Sequence, residues 1–457
     1  MSYCGKSNTL PGRVLFAATG FHIAVRQRLR FGADSLPAEP LAGWAYSRRN
    51  HRRKEQVMGP TAPRPLSGVR VIEIASFVAV PLAGMTLAQL GADVVRVDPV
   101  GGAADYRRWP VTEDGTSIYW TGLNKGKRSV VADLRAPEGQ HLVQRLIVES
   151  GVVLTNMAGR HWLSFDTLVS ERPDLIHLEV LGRADGSTAV DYTVNAATGF
   201  PLVTGPAAYG APINHVLPAW DIACGLHGAL AVVAALHRRD RTGEGCRIRL
   251  ALEDVALGTA SALGFLTEAM VNGTRRERIG NALYGQYGQT FTGSDGASFM
   301  VVTLTDRHFR DLTELTGTTK VIAALAQARD IDFTDEGQRF RHREVLTGLF
   351  NGWFAERTGP QIEAALGGTS LLWDRYRSFA EVATDERLRD NAMFTALHQP
   401  RVGDYLAAGL PASLDGAHPP AVAAPELGAD TGQVLAELGM TIDDIDRLRQ
   451  NGTVATD

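Results

Sequence analysis

From Gly68 onward the chain alternates short apolar runs with stretches of amphipathic spacing. GVRVIEIAS (68–76) is a strand-length run rich in branched residues, PLAGMTLAQLGA (81–92) repeats apolar positions at helical spacing and closes on a glycine, and DVVRVDP (93–99) is a second strand. This is a βαβ opening. KRSVVADL, GVVLTNM and DLIHLEVLG predict further strands, and PEGQHLVQRLIVES predicts a helix opened by Pro137. Strands alternating with helices predict an α/β class with a doubly wound parallel sheet. Two Ala-rich helices follow, over 221–236 and 252–271, separated by RTGEGCRIRL read as a turn and expected to pack over the sheet. Beyond Gly280 the pattern changes to loops, short strands and helices, which predicts a smaller α+β domain over 281–400 after a large domain over 58–280. The last segment, 401–457, ends in two amphipathic helices. No internal repeat and no low-complexity tract interrupts this order.

Composition narrows the function classes. A length of 457 residues exceeds what one hydrophobic core fills, and 44% hydrophobic with 21% charged residues is a globular balance. A net charge of −4 supplies no field for a nucleic-acid backbone. The cysteines, Cys4, Cys224 and Cys246, form no C-x-x-C pair, so neither a disulfide framework nor a metal site is expected, and the cytoplasm is the expected compartment. The longest apolar runs, 222–236 and 255–271, are interrupted by His227 and Glu268 and fall short of a membrane span. Residues 1–57 are Arg-rich and read as a disordered or non-native extension, with Met58 as an alternative start.

Candidate chemistry is sparse. The turn SFVAVPLAG lacks G-x-G-x-x-G, which disfavours a dinucleotide, and Asp98 reads as a solvent-facing acid at a strand end. Lys125, Lys127 and Arg128 in LNKGKRS form either a solvated basic turn or a grip for phosphate. Asp221, in LPAWDIACGLHGALAVVAAL, stands at the head of a long apolar helix. Asp is a preferred N-cap, and the helix dipole favours its ionised form, which is also what a carboxylate nucleophile requires. Gly225 and Gly228 lie near the face that Asp221 projects from and would leave room for a bulky thioester. His227 and His237 read as packed side chains and Cys224 as a core residue. Asp191 and Tyr192, in VDYTVNAATGFP, are a polar pair suited to a turn or to a substrate contact.

These motifs, in order, resemble the family III CoA transferases, which include formyl-CoA transferase, the carnitine CoA transferases and α-methylacyl-CoA racemase. The resemblance runs over about residues 66–454 and rests on GVRVIEIASFVAVPLAGMTLAQLGADVVRVDP, NKGKRSVVADLRAPEG, the Asp221 segment and PELGADTGQVLAELG. It implies a large nucleotide-binding-like domain, a small second domain, a C-terminal segment that returns to the first, and an interlocked homodimer. It also implies Asp221 as nucleophile. CoA contacts carry over to Phe77 and Val78 after the first strand, to Lys127 and Arg128 in NKGKRS, and to Asn156 in TNM. The segment after Asn156 departs from the family pattern, reading MAGRHWLSFD, and Arg160 is the available substitute there. Val190 stands where racemase members carry a histidine, which removes that activity's proton-transfer partner.

Within the family, LEVLGRADGSTAVDYTVNAATGFPLVTGP and GNALYGQYGQTF are most similar to the branch that moves CoA between the two carboxyl groups of mesaconate. That similarity implies acyl-CoA and dicarboxylate substrates, with CoA as part of the substrate and no separate cofactor or metal. Backbone amides at the Asp221 helix and in the Gly280 to Gly288 loop, Gly285 among them, are the expected oxyanion donors, and Arg183, Asn195 or Tyr192 the expected holders of the distal carboxylate. The rival activities are intermolecular CoA transfer, racemisation, and acyl-CoA binding without turnover.

Overall fold

The computed structural model describes residues 63–157 and 159–455; the extension over 1–57 lies outside the described residues. Six strands build the main sheet: β1 (Arg70–Ile74), β2 (Asp93–Asp98), β3 (Arg128–Ala132), β4 (Val152–Thr155), β5 (Ile176–Leu181) and β6 (Cys246–Ala251). All six run parallel. A three-stranded antiparallel sheet of β7 (Tyr287–Thr292), β8 (Ser298–Thr303) and β9 (Leu372–Arg375) has its own aromatic core, with Phe291 stacked on Phe354 at 4.2 Å between ring centroids. A hairpin of β10 (Phe394–Gln399) and β11 (Gly403–Ala408) follows, and β12 (Val454–Ala455) returns to pair antiparallel with β3. The completed seven-stranded order is β12-β3-β2-β1-β4-β5-β6. It reverses direction between β1 and β4, the point at which open α/β sheets leave a crevice beyond their carboxyl ends.

The helices that bear on the site are α1 (Ala79–Gln89), α2 (Ile118–Leu123), α3 (Pro137–Ser150), α4 (Phe165–Val169), α5 (Asp191–Ala197), α6 (Phe200–Val203), α7 (Ala219–Thr242), α8 (Leu252–Ala262) and α9 (Phe265–Asn272). Side-chain alternation along the strands separates two cores. Val71, Val94, Leu154 and Leu178 meet α1, α7 and α8 on one face, while Ile72, Val95, Val130 and Val153 meet α3 on the other. Burial of the central strands on both faces explains their near-continuous apolar runs. As the sequence predicts, α3 starts at Pro137 and stops at Gly151, which takes a left-handed φ of 68°.

Four expectations change. RTGEGCRIRL is not simply a turn: Cys246–Ala251 forms the edge strand β6, whose half-exposed residues disguise it. The helix expected over 252–271 is broken into α8 and α9 at Gly264, which has φ 79°. The Asp221 helix runs 24 residues, long and apolar enough to cross a membrane, but Trp220, Cys224, Val232 and Leu236 bury its inner face against α1 and the sheet. Asp98 faces the interior and is fully buried, held by Arg96 at 2.9 Å.

The C-terminal segment seals the edge beyond β3. Asp430 accepts the Ser129 amide at 2.8 Å, and the Thr431 hydroxyl accepts the Val131 amide at 3.1 Å. The open strand edge is thereby paired and covered.

Candidate active site

The crevice at the strand-order reversal is built by two turns tied to each other. Asn156, just beyond β4, donates to the Ser76 carbonyl at 2.9 Å and accepts the Ser76 amide at 3.3 Å. Phe77, next in the β1–α1 turn, has φ 69°, a left-handed conformation that is uncommon for a bulky residue and characteristic of functional turns. Its amide donates to Asp105 at 2.9 Å. Asp105 is in turn gripped by Arg96, which also bonds Asp98 and Asn124. A buried charge network thus holds the strained turn from beneath.

Beside this turn lies a cavity of about 550 Å³ lined by Phe77, Val78, Asn156, Asp191, Tyr192 and Asp221, together with Arg108, Trp109 and Tyr119. Asp221 sits in the first turn of α7 but does not cap it. The cap position is Pro218, and the capping acceptor comes from elsewhere in the chain: Asp191 Oδ2 takes the Trp220 amide at 2.7 Å and the Asp221 amide at 3.1 Å. Asp191 is only 2% exposed, and its Oδ1 is buried with no hydrogen-bond partner among the described residues. With those two amides taken and the Ile222 amide bonded to Pro218, the first amides of α7 are not free for an oxyanion, contrary to the sequence-based expectation.

The Asp221 carboxyl is not held in its ionised form as the helix dipole alone would predict. Burial, and then the Asp191 charge, push its pKa up to about 7, with Arg108 pulling the other way. Tyr119, presented by α2, is pushed up to about 12 by burial and stays a neutral phenol. Cys224 is likewise raised to about 12 by burial and then by the Asp221 charge, so it contributes packing and no thiolate.

Other sequence-derived candidates lie elsewhere. Lys127 is buried beneath α1, where its ammonium meets Glu73 at 2.9 Å, the Pro81 carbonyl at 2.9 Å and Asn124 at 2.8 Å. Its side chain has no exposed surface there. Arg128 pairs with Asp93 and Glu437 in the seal made by the C-terminal helix. Arg183 is bonded to Glu253 at 3.0 Å, and Asn195 is buried between Trp220 and Asn214; neither lines the cavity. Gly285, with φ 76°, precedes β7 and is also outside the lining. Gly225 and Gly228 do not make room for substrate: a Cβ at Gly225 would stand 2.7 Å from the Ala79 carbonyl oxygen, and one at Gly228 would stand 3.1 Å from Leu178. They let α7 pack closely on α1 and β5. His227 and His237 are exposed.

Sequence reasoning missed Arg108, Trp109 and Tyr119. All three follow the glycine pair Gly101-Gly102 after β2, and the only local signal was an Arg-Arg-Trp-Pro run in a loop at the carboxyl end of a strand.

This chain, with a doubly wound sheet and a partly buried carboxylate on a helix beside its crevice, belongs to the CoA transferases of family III: the family model, described as CoA-transferase family III, matches residues 66–431. Among curated relatives, 2-methylfumaryl-CoA isomerase of Chloroflexus aurantiacus is 44% identical over 399 residues, covering 85% of this chain and 98% of that protein. Succinyl-CoA–D-citramalate CoA-transferase of the same organism is 28% identical, covering 85% and 97%. Among solved structures, a CaiB/BaiF family protein from Brucella suis superposes with a TM-score of 0.68 at 27% identity, covering 83% of this chain and all of that one.

Proposed function

We propose that the chain moves CoA between the two carboxyl groups of mesaconate, converting 2-methylfumaryl-CoA to 3-methylfumaryl-CoA without releasing the acid. The observation that carries this reading is the 44% identity, across almost the whole length of the relative, to 2-methylfumaryl-CoA isomerase. The geometry supports it through Asp221, a carboxylate with no ion pair among the described residues that lines a cavity at the crevice.

Asp221 attacks the thioester carbonyl and expels CoA thiolate, forming a mixed anhydride. The thiolate then attacks the aspartyl carbonyl of that anhydride, giving an aspartyl-CoA thioester and free mesaconate. Mesaconate's other carboxylate attacks this thioester, re-forming an anhydride and thiolate. A last thiolate attack on the mesaconyl carbonyl yields the isomeric thioester and returns the Asp221 carboxylate. No net proton and no electron is transferred, so the cycle calls for no redox cofactor. The N-terminal turn of α1, at Val78 and Ala79, opens onto the same cavity and supplies amides for the oxyanions.

The nucleotide end of CoA is assigned to a second cavity, of about 460 Å³, which shares Ser76 with the first and is lined by Pro99, Arg135, Met157 and Arg160. Its two arginines suit phosphates, in place of Lys127 and Arg128. The active form is assigned as a homodimer: Leu226 and Leu230 of α7 and Met270 and Val271 of α9 present apolar side chains to solvent in the single chain.

The deciding experiment incubates purified protein with mesaconyl-C1-CoA. Formation of the C4 thioester, with hydroxylamine trapping an acyl adduct at Asp221, is the expected result. An adduct at another residue, or turnover in Asp221→Ala, overturns the mechanism, and incorporation of labelled free mesaconate makes the transfer intermolecular.

A further inference from the structure

The reading above leaves the substrate's second carboxylate without a partner. It must enter a cavity that already holds two acids, Asp191 and Asp221, and a third negative charge there is costly unless a cation receives it. Arg108 is the only lysine or arginine among the described residues that line this cavity. The surrounding cations are committed: Arg96 to Asp98 and Asp105, Lys127 to Glu73, Arg128 to Asp93 and Glu437, and Arg183 to Glu253. Arg108 makes no ion pair among the described residues.

Its guanidinium is nevertheless placed. It lies 5.1 Å from the ring centre of Tyr119 and 5.6 Å from that of Phe77, two cavity-lining residues from different elements. Such ring contacts hold the plane of the fork without consuming its N–H donors. The backbone is fixed as well: the Arg108 carbonyl accepts the hydroxyl of Ser117, which caps α2, and the Arg108 amide donates to the Asp105 carbonyl at 3.0 Å. Arg108 is also the charge that opposes the upward shift of Asp221, so the guanidinium and the nucleophile are within electrostatic reach of each other.

We propose that Arg108 binds the free carboxylate of the acyl group, making the site selective for CoA thioesters of small dicarboxylic acids and retaining the freed dicarboxylate between the two half-reactions. This assignment rests on the proposed isomerase reading and adds the residue that makes transfer intramolecular. An arginine fork fits a carboxylate through two parallel hydrogen bonds. Once mesaconate is released from the anhydride, the same fork keeps one end of it fixed while the chain of reactions continues at Asp221.

The test compares two thioesters in the full-length protein: mesaconyl-C1-CoA, and tiglyl-CoA, in which a methyl group replaces the free carboxylate. The quantity read is the ratio of single-turnover rates of Asp221 acylation, measured by mass spectrometry of the trapped enzyme. Any change in Asp221 ionisation falls on both thioesters alike, so the ratio isolates recognition of the carboxylate. In wild type the ratio favours the mesaconyl thioester. In Arg108→Gln it falls by about 10- to 100-fold and free mesaconate appears in solution, while Arg108→Lys, which keeps the charge and loses the fork, is intermediate. An unchanged ratio in both variants, with C4 thioester still formed by wild type, overturns the arginine assignment and leaves the isomerase reading standing. Wild-type acylation that favours the mesaconyl thioester and loses this preference in Arg108→Gln, with no C4 thioester formed, overturns the isomerase reading and leaves the arginine assignment standing.

Discussion

Asp191 accepts the backbone amide of Asp221 at 3.1 Å while its charge raises the Asp221 pKa, so one carboxylate both positions the other and restrains its ionisation. Because the anionic form of Asp221 is the nucleophile, kcat/KM is expected to rise with pH through a midpoint near 7 in the free enzyme. Asp191→Asn keeps an oxygen to accept the two amides and removes the like charge. Its kcat/KM profile should shift to lower pH with the fold intact. Asp191→Ala leaves both amides unpaired and should cost ~0.5–2 kcal/mol, as loss of a helix cap does. Rate profiles and melts of the two variants separate the electrostatic contribution from the positional one.

The same shift is a statement about stability. A folded pKa of about 7 against the ordinary 3.8 means that the native state binds the Asp221 proton more tightly than the unfolded chain does. The stability this carries is complete below pH about 4 and is lost as pH rises through about 7. Asp221→Asn cannot ionise, so it should match wild type at pH 4 and exceed it at pH 8, by at most ~4 kcal/mol. Denaturant titrations at the two pH values measure the difference.

The elements that the sequence made legible are those with a strong internal period. The buried strands β1 to β5 and the capped helix α3 are written in contiguous residues, and so is the acid at the start of α7. What could not be read depended on contacts between distant segments. Nothing in LPAWD tells that Asp191, from another helix, supplies the cap, or that burial and then the Asp191 charge raise the Asp221 pKa. A basic triplet such as KGKRS looks the same whether it meets solvent, a phosphate or a buried glutamate; Lys127 is drawn inward to Glu73 of β1, a fully buried carboxylate that Arg96 also approaches at 3.5 Å. Arg108 was invisible for the converse reason, since its significance lies in having no ion-pair partner among the described residues while lining a cavity with Asp191 and Asp221.

Lys127 gives a direct discrimination between those readings. Burial lowers its pKa to about 8 against the opposing pull of Glu73. Lys127→Ala removes the ammonium from a fully buried carboxylate and should destabilise the fold by ~3–5 kcal/mol, as breaking a buried ion pair does. A phosphate-binding lysine would instead raise KM and leave the melt unchanged. Urea denaturation beside steady-state kinetics, at a temperature where the variant remains folded, reads both effects.

The close approach of α7 and α1 is the last relationship that can be tested cleanly. Gly225 has no room for a methyl group: a Cβ would lie 2.7 Å from the Ala79 carbonyl oxygen and 3.1 Å from the Leu82 Cβ. Alanine normally favours a helix interior over glycine by ~1 kcal/mol, but overpacking costs ~1–3 kcal/mol, and here the obstacle is backbone. Gly225→Ala should therefore lower the melting temperature. It should also lower kcat, because the displaced turn of α1 is the one that lines the cavity with Val78 and Ala79. Gly348, exposed in the helix Arg343–Ala355 with nothing within 4 Å of its added Cβ, is the control. Gly348→Ala should raise stability by ~1 kcal/mol and leave kcat where it was. A Gly225→Ala protein as stable and as active as Gly348→Ala would show that the glycine serves no close packing.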